Sequence, residues 1–391
     1  MNFWNKIRQD LFIEQNVFVL SLSILFVIIA FFSWYPILPI YLQELGANDF
    51  QVGFSYTLLT LASTLMQFFG GILSDYFGRK WLIVFPNFIF PLLYLLIANI
   101  NQWQILVALL VVVNSLTALQ LPSFYAIIAE SVPKNKRGKA YSIFELFVVM
   151  GITLGPAVGM ILISRINIRY LFYLSAVVTF LCAVIRLIWL KETHHDRLNT
   201  ISIDSIKKIF NRKIFMVIAA LSSLLLLFNL TTNGPFASLF AYEVLHFDKS
   251  KINLLFALGG SAAVIYSIGG GKIIEKWGSK KMLSASAIGM GLFAVLWGLS
   301  ATPFLHIFLF IILYVFFQSC YIAYGALLAD ITHRQSRGLV IGFIGTITGL
   351  IGSMGPSLGA YLRLYFSPIS TFWAGLVFAL ATSLFLMQAK D

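Results

Sequence analysis

The sequence predicts an all-α integral membrane protein of twelve transmembrane helices, arranged as two six-helix, pseudo-symmetric halves. Three observations carry this. Only 11% of the 391 residues are charged and 59% are hydrophobic, against about 25% charged in a soluble domain. Apolar runs of about 20 residues recur along the whole chain, each long enough to cross about 30 Å of hydrocarbon. Lipid offers the backbone no hydrogen-bond partner, so runs of that length are helices. The third observation is a repeat. The stretch Gly70–Lys80 (GGILSDYFGRK) returns, altered, at Gly270–Lys280 (GGKIIEKWGSK), an offset of 200 residues.

Taken in order, residues 1–15 place Phe3, Trp4, Ile7, Leu11 and Phe12 at helical spacing, as for a short helix lying in the membrane interface or a frayed terminus. Span 1, about Val17 to Tyr41, ends in the aromatic and proline-rich WYPILPIYL; it is too long for a signal-peptide core. Spans 2, 3 and 4 are expected near 51–73, 81–98 and 104–129. The basic loop Pro133–Lys139 (PKNKRGK) precedes span 5, and span 6 covers about 170–190. Residues 191–213 form the only substantial polar stretch, with a short amphipathic helix expected around Ser205–Phe210. His194 and His195 lie there as adjacent residues, which do not share a helix face, so a metal site is not expected. Spans 7 to 12 begin near Ile214, Ile252, Met282, Phe304, Leu339 and Thr371.

The repeat holds without a gap over about 90 residues. Gly71, Gly78 and Lys80 match Gly271, Gly278 and Lys280. Ala129, Arg137 and Gly138 match Ala329, Arg337 and Gly338. Gly155, Pro156 and Gly159 match Gly355, Pro356 and Gly359. Acidic character persists at Asp75 and Glu275 and at Glu130 and Asp330. The domains expected are 1–190, a central loop 191–213, and 214–391. A duplicated six-span unit points to a transporter with its site between the halves.

The net charge of +12 is distributed rather than clustered into a nucleic-acid module. With the N-terminus inside, 22 of the 27 Lys and Arg fall on the cytoplasmic side, and the rest (Arg165, Arg169, Lys249, Lys251, Arg363) on the outer side. Both termini are then cytoplasmic, and anionic lipid is a sufficient partner for the charge. Cys182 and Cys320 both lie inside spans without metal-ligand spacing. The spans hold no paired aspartates, Ser or His dyad or His cluster, and the sequence has no nucleotide loop, so an enzyme or an ATP-driven pump is not expected.

The pattern Gly71-x-x-x-Asp75-x-x-Gly78-Arg79-Lys80 resembles the loop signature of the major facilitator superfamily. The stretch Gly151-x-x-x-Gly155-Pro156-x-x-Gly159 resembles the span 5 signature of its drug–proton antiporter branch, with Met160 where a final glycine is usual. The resemblance covers essentially the whole chain. It implies that span 2 of one half meets span 11 of the other, so that Asp75 holds the halves together against the positive N-terminal end of span 11. Glu275 would do the same at the start of span 5, and Arg79 and Arg137 would pair with Asp75 and Glu130. Ser279 stands where Arg79 does, which implies a weaker second gate. It also associates the span 5 bend at Pro156 with export. From the residues alone, Gly70 and Gly71 permit a close helix approach, Gly151, Gly155 and Gly159 form a smooth packing strip, and Pro156 removes a hydrogen bond to the Ile152 carbonyl.

Ionisable groups inside lipid are functional by default, and few are present. Glu145, in span 5, is either a proton carrier or a gate partner of the loop charges. Glu243 is expected at an exposed outer end of span 7, His306 lies near the start of span 10, and Arg186 is expected to snorkel from span 6. The family's span 4 arginine is missing, since 111–118 contains no basic residue, and span 1 has no acid. By the resemblance, spans 1, 4, 7 and 10 line the cavity. The side chains available there are Trp34, Tyr35, Asn114, Gln120, Tyr125, Asn229, Asn233, Gln318, Tyr321 and Tyr324. That mix suits amphipathic or hydrophobic solutes, and no Arg or Lys is expected centrally to receive an anion.

The function expected is secondary active transport of small amphipathic compounds by alternating access, as proton-coupled, multidrug-type efflux. A lipid or sugar exporter or an uncoupled facilitator of the same fold stays open, and a non-transporting sensor is the remote alternative. The expected partners are membrane lipid, a small-molecule substrate and protons, with no cofactor, metal or nucleic acid. The expected setting is a bacterial or archaeal plasma membrane, with the protein as a monomer.

Overall fold

The computed structural model describes residues 14–193, 212–332 and 337–389. The expected interfacial helix at the N-terminus, the 205–210 helix, the adjacent histidines and the Arg337 side chain fall outside these. Among the described residues, twelve helices are long and apolar enough to span a bilayer: 15–44, 49–77, 79–99, 103–131, 134–163, 168–189, 212–243, 249–277, 279–299, 303–330, 340–365 and 370–388. Spans 2, 3 and 4 begin at Asp49, Arg79 and Trp103; spans 8, 9 and 10 begin at Lys249, Ser279 and Pro303, each 200 residues later. Gly78 and Gly278 turn the chain between spans with φ of 89° and 83°, a left-handed backbone that glycine adopts without strain.

Three spans are discontinuous. In span 1 the helix stops at Phe32 and resumes at Leu38 after a 3-10 turn over Tyr35–Ile37, where Pro36 and Pro39 break the hydrogen-bond ladder. Span 7 stops at Thr231 and resumes at Phe236 across Thr232-Asn233-Gly234-Pro235, the repeat-equivalent position. A Cβ at Gly234 would lie 1.9 Å from the Asn229 carbonyl oxygen, so only glycine fits that corner. Span 11 breaks between Gly352 and Gly355, just before Pro356. Span 5 carries the same Gly-Pro pair at 155–156 and remains one helix from Arg137 to Ile163.

The chain divides into two compact units. One comprises residues 1–35 and 62–199, and the other 36–61 and 200–391. The segment 36–61 of spans 1 and 2 therefore packs with the C-terminal six spans. In the first unit, span 1 packs on spans 5 and 6, and span 3 on spans 4 and 6. In the second, span 7 packs on spans 11 and 12, and span 9 on spans 10 and 12, which are the equivalent pairs. Glycines set the closest approaches. Added Cβ atoms at Gly151 and Gly155 would meet Ile28 and Phe32 of span 1 at 2.8 and 2.6 Å; at Gly352 and Gly355 they would meet Leu225 and Asn229 of span 7 at 2.6 and 2.8 Å. With lipid as solvent, close backbone packing of this kind is what associates helices. Large apolar side chains such as Phe85, Ile268, Phe304 and Met387 point outward.

Arg186 corrects an expectation. It does not snorkel: it is 1% exposed, inside the first unit. Its Nε donates to Ser23 Oγ and its Nη1 to Asn87 Oδ1, both at 2.8 Å. The guanidinium lies 5.1 Å from the centre of the Phe124 ring. No acid pairs with it among the described residues, and its Nη2 has no partner there.

Candidate functional site

The loop motif in the first unit is a network rather than a row of solvated charges. Span 3 starts at Arg79, and its first two amides are capped by Glu192, whose carboxylate accepts from the Arg79 and Lys80 backbone N–H groups at 3.1 and 3.0 Å. An anion at a helix N-terminus satisfies orphan donors and meets the positive end of the dipole. The Arg79 guanidinium lies 2.5 Å from Asp75 and 3.4 Å from Glu130, and donates to Ser74 Oγ at 2.8 Å. Thr193 Oγ1 donates to the second Glu130 oxygen at 2.6 Å. Glu192 and Thr193, expected at the start of the central loop, are part of the motif's wiring.

Other motif residues separate. Gly70 is needed, because a Cβ there would sit 2.3 Å from the Leu119 carbonyl oxygen in span 4. Gly71 and Gly271 face open space, so neither mediates a close approach. Arg137 does not pair with Asp75 or Glu130: its Nε donates to the Ala129 carbonyl at 2.9 Å. In the second copy, Ser279 Oγ donates to Asp330 at 2.6 Å, a hydroxyl in place of the Arg79–Glu130 ion pair. Lys280 reaches the Ala389 carbonyl at 2.8 Å, and Glu275 is exposed. Pro156, Gly159, Pro356 and Gly359 are all buried in helix packing, Gly359 against the Phe236 ring.

Glu145 is half-buried in span 5 and accepts a 2.7 Å hydrogen bond from the Tyr125 hydroxyl of span 4. Tyr141 and Phe144 pack around Tyr125 with ring centroids 5.9 and 6.0 Å away, and the Tyr141 hydroxyl donates to the Tyr125 carbonyl. This is a carboxylate held within a membrane span by a phenol and framed by aromatic rings. Its recorded hydrogen bond goes to Tyr125 and not to a loop charge.

The proposed cavity residues divide by environment. Trp34 is fully buried, its indole N–H donating to Ser175 Oγ at 3.0 Å and its ring packed edge-on to Phe172. Gln120 is 2% exposed and accepts from Asn87, joining the Arg186 network. Both are core residues of the first unit, which corrects their assignment as cavity lining. Asn229 donates to the Leu225 carbonyl and to the Gly352 carbonyl freed at the span 11 break, both at 3.0 Å, so its amide is structural. Asn114 back-bonds to the Leu110 carbonyl at 2.9 Å, and Gln318 donates to Ser267 Oγ at 2.9 Å. Tyr125, Asn233 and Tyr321 are exposed, and Tyr35 and Tyr324 are half-buried. Tyr35 and Asn233 lie in the equivalent breaks of spans 1 and 7.

A second cluster of ionisable groups was missed by the sequence reading. Glu243 is not an exposed end. One of its oxygens accepts from Gln43 Nε2 at 2.7 Å, and the other pairs with Arg363 Nη2. Arg363 Nε lies 3.2 Å from Asp49, which also accepts from Gln43 at 2.9 Å. The Arg363 side chain is 1% exposed. His306 is also buried, hydrogen-bonded through Nδ1 with Ser300 Oγ. Both cysteines are free and buried, and no group of metal ligands occurs among the described residues.

Twelve spanning helices in duplicated six-span units define a multi-pass membrane protein of the transporter class. The family model of the Major Facilitator Superfamily matches residues 20–232 and again 219–390, so the chain belongs to that superfamily. It is 25% identical over 305 residues to an uncharacterised MFS-type transporter of Methanocaldococcus jannaschii, covering 75% of this chain and 77% of that one. It is 26% identical over 316 residues to the multidrug resistance protein MdtG of Proteus mirabilis, with the same coverage of each chain. The crystal structure of the nucleoside transporter NupG superposes with a TM-score of 0.79 over 96% of this chain and all of that one, at 14% identity, which speaks for the fold alone.

Proposed function

We propose that this protein exports small amphipathic or hydrophobic compounds in exchange for protons by alternating access, multidrug-type. The observation that carries the coupling is Glu145. A carboxylate in a membrane span is costly unless used, and this one is bonded to an exposed tyrosine rather than to a cation. Protonation removes its charge and turns it from acceptor to donor towards Tyr125, which gives the proton a structural consequence. The aromatic surround of Tyr125, Tyr141 and Phe144 suits flat apolar solutes, and cationic ones while Glu145 is ionised. Similarity to the multidrug resistance protein MdtG supports the broad substrate class. The excess of Lys and Arg at the motif ends supports a cytoplasmic setting for the Asp75 and Glu275 loops and for both termini. The Asp75–Arg79–Glu130 network then belongs to the inner gate.

The test is expression in a bacterial host stripped of its own exporters, scored against a panel of lipophilic cations, neutral amphipaths and sugars. Raised tolerance to the lipophilic compounds, lost in Glu145→Gln at equal expression, is the expected result. Tolerance unchanged for every lipophilic compound refutes the substrate class.

A further inference from the structure

Span 2 enters at Asp49 and runs antiparallel to the final helix of span 11 along a short seam within one compact unit. Three contacts follow one another at a spacing of four residues on span 2. Asp49 pairs with Arg363 at 3.2 Å. An added Cβ on Gly53 would fall 2.4 Å from Ala360 Cβ and 2.5 Å from the Pro356 carbonyl oxygen, so the two backbones touch there. Thr57 Oγ1 lies 2.8 Å from Ser357 Oγ and accepts from the Ser357 amide at 3.0 Å. The seam is therefore hydroxyl-bonded at its deep end, glycine-tight in its middle and ionic at its end.

The ionic end is built around one buried cation. Arg363 reaches Asp49 on span 2 and Glu243 on span 7, and Gln43 of span 1 donates from one amide nitrogen to both carboxylates. The two acid side chains are about a third exposed, 32% and 30%, so water reaches them while Arg363 stays dry. Nearby, Lys249 pairs with Glu44 at 2.7 Å, and Asp248 caps span 8 through the Lys251 amide. The arrangement is one-sided: Ile163 and Lys249 stand at the repeat equivalents of Arg363 and Asp49.

We propose that Asp49, Gln43, Glu243 and Arg363 form a charge lock that holds the span 2–span 11 seam shut at the end opposite the Gly78 and Gly278 loops, and that must break in each cycle. Its chemistry suits a reversible closure. Hydrogen bonds to charged groups hold it, and its acids need little further desolvation to close or hydration to open, because they are already partly wet. The Gly53 contact supplies close fit without adhesive side chains, so the lock sets the balance between shut and open. This rests on the alternating-access reading, but its test observes the seam and not transport.

The test places Thr57→Cys with Ser357→Cys in a full-length chain carrying Cys182→Ala and Cys320→Ala, reconstituted in lipid nanodiscs. Disulfide formation by copper–phenanthroline is timed by loss of maleimide-reactive thiols. With the lock intact, crosslinking is expected to be fast. Asp49→Asn with Glu243→Gln is expected to slow it about tenfold, the size of a charged hydrogen bond's contribution, with either single change intermediate. If the double variant misfolds, Glu243→Gln alone decides, by the same comparison of rates. Equal rates with and without the acids, or a lock-intact chain that fails to crosslink, overturns the proposal. Slowed crosslinking in a protein that transports nothing keeps the lock and removes the transport reading.

Discussion

Gln43 donates a 2.7 Å hydrogen bond to Glu243, and the two residues are 200 positions apart, the offset of the sequence repeat. Equivalent positions in the two copies thus touch, one as a neutral amide and one as an acid. Gln43→Ala removes the donor that both Asp49 and Glu243 share. The expected loss is about 1.5–3 kcal/mol, the range for hydrogen bonds to charged groups, with both acids keeping their pairing to Arg363. A lower thermal midpoint in detergent checks it.

Gly70 and Gly71 are adjacent and look alike in sequence, yet only Gly70 abuts the Leu119 carbonyl. Gly70→Ala forces span 2 and span 4 apart, with an expected loss of about 1–3 kcal/mol from overpacking. Gly71→Ala meets nothing and gains helix propensity, so its midpoint should match or exceed wild type. Equal losses in both variants would place the steric contact elsewhere.

Arg186 is a buried cation without an acid partner among the described residues. Replacing a buried charge by an apolar side chain of similar size is often neutral or stabilising. Arg186→Met is therefore expected to hold or raise the thermal midpoint while transport falls at least about tenfold, as for an ionisable group retained in lipid for function. Asn87→Leu, which strips an acceptor from a charge that remains, is expected to destabilise the fold by about 3–5 kcal/mol. Full transport in a well-folded Arg186→Met protein would make the arginine dispensable.

The bilayer is what made so much of this legible. A fixed hydrocarbon thickness turns apolar run length into span count, and the 200-residue offset reappears in the span boundaries. The Asp75–Arg79 pair is local, four residues apart across the turn at Gly78, so the loop pattern and its family resemblance were enough to expect it. Trp34 and Gln120 were misread because apolar residues surround such a helix on every side, leaving no pattern to separate a core face from a cavity face. Arg186 was misread for a related reason: its distance from the span end suggested snorkelling, but its direction is inward. Arg363 enters the sequence reading only as one of five outer-side charges, because its partners come from spans 2 and 7, and which helices meet is a tertiary fact. The Gly-Pro pairs show the same limit, since span 11 breaks at its copy while span 5 continues.

Trp34 and Tyr125 should differ in kind under substitution. Trp34→Phe loses the bond to Ser175 inside the first unit, at about 1 kcal/mol, and should leave substrate range unchanged. Tyr125→Phe removes the donor to Glu145 and should change the pH dependence of transport while the midpoint barely moves. A tolerance panel and a pH profile on both variants separate the two roles.

Proteoliposomes with an imposed pH gradient put proton coupling through Glu145 to the most direct trial. Uptake of a fluorescent lipophilic cation is followed as the gradient is applied and then collapsed with an ionophore. Wild-type protein should accumulate the cation only while the gradient lasts, and Glu145→Gln should accumulate none at equal reconstitution. Accumulation by wild type that ignores the gradient, or gradient-driven accumulation that survives Glu145→Gln, would contradict it.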